Sequence, residues 1–162
     1  MTALVELFTA LGYANVQTYI QSGNVVFDSP RRVGRNEAAR ISEEIAKTRG
    51  FAPRILILAE DDLRSAVENN PFSAADGKAM HFFFLEETPA QPNLDRLAGL
   101  KAASEAFALA DRVFYLLAPD GIGRSRLAPA VESALGVPVT ARNWNTVAKL
   151  VAMVEPRKQG AG

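Results

Sequence analysis

Apolar residues recur at helical spacing in the first residues of the chain. The stripe falls at i, i+3, i+4 and i+7 and consists of Leu4, Leu7, Phe8 and Leu11. This spacing predicts an amphipathic helix with one buried face. Gly12 would end the helix, because glycine is favoured just beyond a helix C-terminus.

Residues 16–29 predict a β-hairpin with two different faces. A turn at Ser22 and Gly23 would pair Thr18 with Phe27 on an apolar face. Because side chains alternate along a strand, the opposite face would be polar around one tyrosine. That face would carry Gln17, Tyr19, Gln21 and Asn24.

The rest of the pattern alternates between helices and strands. In chain order it predicts a helix over 36–50, a strand over 54–59 that is apolar on both faces, a helix over 60–70, a strand over 80–85, a helix over 93–101, strands over 106–109 and 112–117, a helix that begins close to Ser125 or at Pro129 and ends at Gly136, a strand over 137–141 and a last helix from Trp144.

This order predicts an α+β fold of two similar halves. Residues 80–141 follow the βαββαβ order of a ferredoxin-like unit, and residues 3–59 follow the same order without its first strand. We therefore expect two ferredoxin-like halves, the first missing its opening strand, and a C-terminal helix. The predicted organisation is a single globular domain, 1–154, with halves 1–72 and 73–154, followed by a flexible polar tail, 155–162.

Composition narrows the classes of function. The 162 residues are 48% hydrophobic, and 18 basic residues balance 18 acidic ones, so no net field attracts nucleic acid or anionic membrane. Any role with nucleic acid needs a local basic patch. The absence of cysteine excludes disulfides, thiolate zinc sites and cysteine nucleophiles. No signal peptide or membrane-spanning run is visible, so we expect a cytoplasmic protein without a membrane partner.

Two segments near the end of the chain carry the best candidate chemistry. Residues 119–127 and 140–147 each place an arginine beside small polar residues where a loop enters a predicted helix. Helix starts expose unpaired N–H groups and the positive end of the helix dipole, so they attract anions. The predicted ligand-binding residues are Arg124, Ser125, Arg126, Arg142 and Asn143, with Tyr19 and Gln21 as a second wall.

Several of these residues also have simpler structural roles. Ser125 and Asn143 are natural helix caps. Trp144 shares a helical stripe with Val147, which favours a place in the core. Arg142 has no comparable structural role, so it is the first residue to test.

Metal and histidine chemistry find little support in the sequence. His81 is the only histidine and lies in an apolar strand, which excludes histidine triads and multi-histidine metal sites and favours a core residue. The acidic runs 60–62 and 86–87 fit a helix start and a strand end at the surface. We predict neither a metal nor a cofactor.

Four motifs in order resemble a known family. They are Thr18-Tyr-Ile-Gln-Ser-Gly-Asn-Val-Val-Phe27, Asn70-Pro-Phe72, Asp120-Gly-Ile-Gly-Arg-Ser125 and Ala141-Arg-Asn-Trp-Asn-Thr146. The chain is similar to the domain-of-unknown-function family numbered 1697, which consists of uncharacterised, mostly bacterial proteins. Its members usually carry a hydrophobic strand and a Gly-rich loop ahead of the first helix, where this chain begins. The resemblance implies no reaction, substrate or cofactor.

Three functions remain open at this point. The first is a small binding module for a phosphorylated ligand or nucleic acid. The second is an enzyme of unrecognised type, whose only plausible nucleophiles are Ser22 and Ser125 and which has no evident base. The third is an interaction protein, such as a homodimer formed through the sheet edge that a missing strand exposes. Binding ranks first because no nucleophile has a partner to activate it.

Overall fold

The computed structural model describes residues 2–19, 23–30, 35–50, 54–72 and 77–161, and all of their side chains except those of 2, 3, 35 and 155–161. The elements are α1 (Thr2–Ala10), β1 (Ala14–Tyr19), β2 (Asn24–Asp28), α2 (Arg35–Arg49), α3 (Glu60–Glu68), β3 (Met80–Leu85), α4 (Leu94–Leu100), β4 (Ala106–Ala110), β5 (Val113–Leu117), α5 (Val131–Leu135), β6 (Val139–Asn143) and α6 (Trp144–Ala161), with 3-10 turns at Ile122–Arg124 and Ala128–Ala130.

The chain has a mixed α+β architecture, as the sequence predicts. It divides into two compact units, Met1–Glu60 with Met153–Gly162, and Asp61–Ala152. Each unit has its own antiparallel sheet. Every helix among the described residues is too short or too polar to span a lipid bilayer.

The hairpin of the first unit has the predicted faces but a different register. Thr18 pairs with Val25, and Tyr19 pairs with Asn24. The predicted pairing of Thr18 with Phe27 is therefore wrong by two residues. A shift of two leaves the described side chains of 17–19 and 24–28 on their predicted faces, because side chains alternate with a period of two.

The core of the first unit forms where α1 and α2 meet the hairpin. The predicted helical stripe is confirmed, since Leu4 and Phe8 are buried with Tyr13 and Ile41. The Tyr13 ring lies 4.6 Å from the ring of Phe27, measured between centroids. The apolar face of the hairpin thus covers the two helices.

Residues 54–59 form no strand, contrary to the sequence prediction. Ile55 and Ile57 still pack against the core of the first unit, so the apolar pattern serves burial. In a βαββαβ order the fourth strand pairs with the first. Among the described residues, this segment pairs with no other strand.

The second unit contains a sheet of order β4-β5-β3-β6 in which all pairs are antiparallel. All residues of β3 are buried, which confirms the predicted strand over 80–85. One face of β3, with Phe83 and Leu85, packs into the core that includes Leu97 and Val131. The opposite face carries Met80, Phe82 and Phe84.

Capping residues set the ends of the helices on this sheet. The Asn93 side chain accepts a hydrogen bond from the Arg96 N–H at 3.1 Å and starts α4. Gly136 ends α5 in the left-handed conformation, with φ 75°. The sequence predicts a start of this helix close to Ser125 or at Pro129. Pro129 lies in the 3-10 turn that leads into α5, so the start at Pro129 agrees better with the structure. The backbone of α6 continues past residue 154, where a flexible tail is expected.

The Tyr115 hydroxyl fixes the end of α3 against the sheet. It donates a buried hydrogen bond of 2.6 Å to the carbonyl of Ala66. In a longer helix the N–H of Asn70 would donate to the Ala66 carbonyl, but here it donates to the carbonyl of Val67.

We expect Tyr115→Phe to lower the free energy of unfolding by about 1–3 kcal/mol, because it leaves the buried carbonyl of Ala66 without its partner. Chemical denaturation measures this difference.

A matched control is Ser104→Ala, which removes an exposed hydroxyl that bonds to Asp120. That change should alter the free energy of unfolding by no more than about 0.5 kcal/mol. Equal losses in the Tyr115 and Ser104 variants would contradict the role given to the Tyr115 hydroxyl.

His81 should make the stability of the protein depend on pH. It is 5% exposed, and its buried Nε2 atom has no hydrogen-bond partner among the described residues. Burial lowers the pKa of His81 from its ordinary value of 6.5, so the unfolded chain binds a proton more readily than the folded one. The free energy of unfolding should therefore fall as the pH drops below 6.5 and level off below the folded pKa.

Chemical denaturation between about pH 7.5 and 5.5 measures this loss, because few other groups titrate in that range. His81→Gln cannot titrate and should be much less sensitive to pH. Since His81 is the only histidine, the comparison isolates one group. The same decline in both proteins would show that His81 is not its source.

Candidate functional site

The sheet of the second unit brings the two arginine-containing segments to one of its ends. Because β5 and β6 are both antiparallel to β3, they are parallel to each other. Leu117, at the end of β5, pairs with Met80, while Asn143, at the end of β6, pairs with His81. Both strands therefore finish beside the start of β3. We use the name strand-end site for residues 118–126, which follow β5, together with residues 142–146, which are the last two residues of β6 and the three after it.

Arg142 is the arginine of this site that lies within the sheet, near the end of β6. It pairs with Phe82 across the β3–β6 ladder, so the two side chains lie on the same face of the sheet. Its Nη1 donates a hydrogen bond of 2.7 Å to the carbonyl of Ala141. Burial lowers the pKa of Arg142, but an arginine guanidinium keeps its charge at neutral pH. The site thus contains a half-buried cation.

Arg124 and Arg126 lie in the loop after β5, outside the sheet, and are exposed. Arg124 ends the 3-10 turn Ile122–Arg124. Within the part of the chain that the structure describes, neither side chain makes a hydrogen bond or an ion pair. Their charges are available to a ligand.

Ser125 has a structural role in the same loop. Its Oγ accepts a hydrogen bond of 3.0 Å from the N–H of Ala128, and the residue is 9% exposed. The predicted loop into a helix is here a 3-10 turn, Ala128–Ala130, followed by the five residues of α5. So short a helix gives little dipole, so the positive charge of this loop comes from its arginines.

Asn143 and Trp144 start the long helix α6. The Asn143 Oδ1 accepts a hydrogen bond of 3.0 Å from the N–H of Thr146, which confirms the predicted N-cap. The Trp144 ring stacks on Phe82, with centroids 5.9 Å apart and an angle of 22°. Whereas Val147 is fully buried, Trp144 is only partly buried. The expected place of Trp144 in the core is therefore only half correct.

Trp144 is partly exposed because it lines a cleft of about 250 Å³. The other lining residues are Val67, Asn70, Phe72 and Met80. Sequence reasoning missed this cleft, since its residues lie far apart along the chain. The sequence did point to two of its residues, because Asn70 and Phe72 belong to one of the motifs that support the family resemblance.

The remaining predicted residues belong to the first unit. Tyr19 is the last residue of β1 and is partly buried, and its carbonyl accepts a hydrogen bond of 3.2 Å from the Asn24 side chain. Gln21 and Ser22 lie outside the described residues. The second wall that Tyr19 and Gln21 would form stays a prediction.

The chemistry of the strand-end site favours binding. It combines guanidinium groups, an aromatic ring and an amide, all of which recognise ligands without transferring protons. The Ser125 hydroxyl is engaged as a cap. No group of three or more histidine, aspartate or glutamate side chains among the described residues could hold a metal ion.

Similar proteins support the fold and the family. The structure of the conserved bacterial protein SP0830 from Streptococcus pneumoniae matches with a TM-score of 0.59 at 22% identity, over 96% of this chain and 88% of that chain. At this identity the likeness shows the fold alone. No curated protein matches the chain.

The family assignment rests on the N-terminal two thirds of the chain. The model of one family, described as "Protein of unknown function (DUF1697)", matches residues 1–115. The motifs at 18–27 and 70–72 lie within this range, and the two arginine-containing motifs lie beyond it. The chain belongs to the DUF1697 family of proteins of unknown function.

Proposed function

We propose that this protein is a small cytoplasmic binding module for a phosphate-bearing ligand, with the strand-end site as its binding site. One observation carries the proposal: β5 and β6 end on either side of the start of β3, so Arg124 and Arg126 share one end of the sheet with Arg142. Guanidinium groups bind phosphate oxygens through paired, charge-assisted hydrogen bonds.

The position of the arginines favours a small ligand over a long nucleic acid. Basic and acidic residues balance over the whole chain, whereas extended phosphate backbones are bound by broad basic surfaces. Asn143 caps α6 directly after Arg142, so the first turn of an 18-residue helix lies next to this arginine. The helix dipole there adds a favourable field for an anion.

The proposed fold behind this site is ferredoxin-like. The strand order β4-β5-β3-β6 is the one expected when a βαββαβ chain forms an antiparallel sheet. We interpret the first unit as a variant of the same design, because α1, the hairpin and α2 follow in the matching order. A single domain over 1–154 remains our expectation for the chain.

The arginine cluster can be tested with Arg124→Ala combined with Arg142→Ala. Titration calorimetry with ribose 5-phosphate and pyrophosphate should show binding to the unmutated protein and about a tenfold or greater loss in the variant, since a charge-assisted contact contributes about 1.5–3 kcal/mol. Affinity should also fall as salt rises, because ions screen the exposed charges.

Arg96→Ala is the matched control. Arg96 is also exposed, but it lies in α4, in the segment that leaves the far end of β3, away from the strand-end site. Its side chain donates a hydrogen bond to the Ser133 hydroxyl. Its loss should leave affinity unchanged. Because Arg142 is half-buried, Arg142→Lys serves as a milder variant that keeps the charge and removes the planar fork. The proposal fails if neither ligand binds the unmutated protein, or if the Arg96 variant loses as much affinity as the double variant.

A second candidate function is self-association through the hairpin. In the described part of the first unit, β1 and β2 form a two-stranded sheet. Such a sheet is only marginally stable in water, and its unpaired edge can accept a strand from another chain. We therefore keep a homodimer as the alternative to ligand binding.

Light scattering over a range of protein concentrations tests this alternative. Self-association should raise the mass from 17.5 kDa towards twice that value. Val26→Lys places a charge on the edge strand and should restore the monomer, because lysines on edge strands oppose pairing. If the unmutated protein is monomeric at every concentration, self-association is excluded.

A further inference from the structure

The cleft beside the strand-end site contains an aromatic ring whose position is fixed. The Trp144 ring lines the cleft and stacks on Phe82 at 5.9 Å between centroids. Phe82 is fully buried and in turn packs edge-on against Tyr115, at 5.3 Å. A partly exposed ring backed by buried aromatics is held ready to stack on a second flat ring.

The cleft also contains one amide with a defined orientation. The Asn70 Oδ1 accepts a hydrogen bond of 3.0 Å from the N–H of Phe72. This bond directs the other end of the amide, Nδ2, away from the turn. Among the described residues Nδ2 has no partner, so it can donate to a hydrogen-bond acceptor on a ligand.

The two sides of the cleft are held in place by other contacts. The bond from Tyr115 to the Ala66 carbonyl anchors the end of α3, next to Val67. Gly77 lies so close to the first turn of α6 that a Cβ atom there would overlap the Asn145 amide. The protein is therefore closely packed beside Val67 and around the first turn of α6, and such packing favours affinity for a rigid ligand.

We propose that this cleft binds the base of a mononucleotide. Trp144 stacks on the base, Asn70 donates to an acceptor on its edge, and the arginines of the strand-end site hold the phosphate. A base meets both requirements of the cleft, since it is flat and carries acceptor atoms on its edge. This inference rests on the proposed phosphate site and assigns the other half of its ligand.

Arg142 connects the two halves of this site. It lies across the ladder from Phe82, on the sheet face that also carries Met80. Met80 and Trp144 line the cleft. A ligand that stacks on Trp144 would thus place its sugar and phosphate on the arginine side.

Fluorescence gives a specific test because Trp144 is the only tryptophan. The probes are adenosine, guanosine, cytidine and uridine, their 5′-monophosphates and ribose 5-phosphate. At least one nucleoside and its monophosphate should change the emission of Trp144 on binding. Ribose 5-phosphate should bind by calorimetry without that change, because it carries no base.

Two variants test the residues of the cleft. Asn70→Asp keeps an acceptor for the N–H of Phe72 but loses the donor group, and should weaken nucleoside binding about tenfold. Asn69→Asp introduces the same charge one residue away, outside the cleft lining, and is the matched control. Trp144→Leu, followed by calorimetry, should weaken nucleoside binding at least about tenfold through the loss of stacking.

The outcomes separate the two proposals. If ribose 5-phosphate binds as tightly as all four monophosphates and no nucleoside binds, the base site is wrong while the phosphate site stands. If a nucleoside binds and is weakened by Asn70→Asp alone, the base site is supported even where phosphate adds no affinity. Equal losses in the Asn69 and Asn70 variants, or no binding of any probe, would overturn the base site.

Discussion

The hydrogen-bonded ladders on both sides of β3 hold the second unit in the arrangement on which its site depends. β3 pairs with β5 along one edge and with β6 along the other, and all of its side chains are buried. A strand that is apolar on both faces is stable only when both faces are covered. Here the helices and the core around Leu97 and Val131 cover one face, and Tyr115 ties α3 to the sheet on the other.

This central position of β3 has a cost and a benefit. Its cost is His81, whose buried Nε2 atom has no hydrogen-bond partner in the part of the chain that the structure describes, although folding normally satisfies such groups. Its benefit is that the ends of β5 and β6 are fixed by backbone pairing. Side chains such as Arg142 and Asn143 are consequently placed by the sheet, which is more rigid than a loop.

The strand-end site and the cleft offer complementary chemistry. Arg124 and Arg126 are exposed cations, whereas Arg142 is half-buried, where charges are screened less by water. Trp144 adds an apolar surface to the same end of the sheet. The ligand that we propose therefore has a charged end and a flat end.

The sequence by itself determined the features that depend on neighbours along the chain. The strand over 80–85, the faces of the hairpin and the cap at Asn143 follow from local periodicity and from hydrogen bonds within one turn. Only the tertiary structure decided the hairpin register, the missing ladder at 54–59, and the cleft that joins Asn70 to Trp144. These features depend on which distant segments meet, and a pattern that repeats every two or 3.6 residues carries no information about that choice.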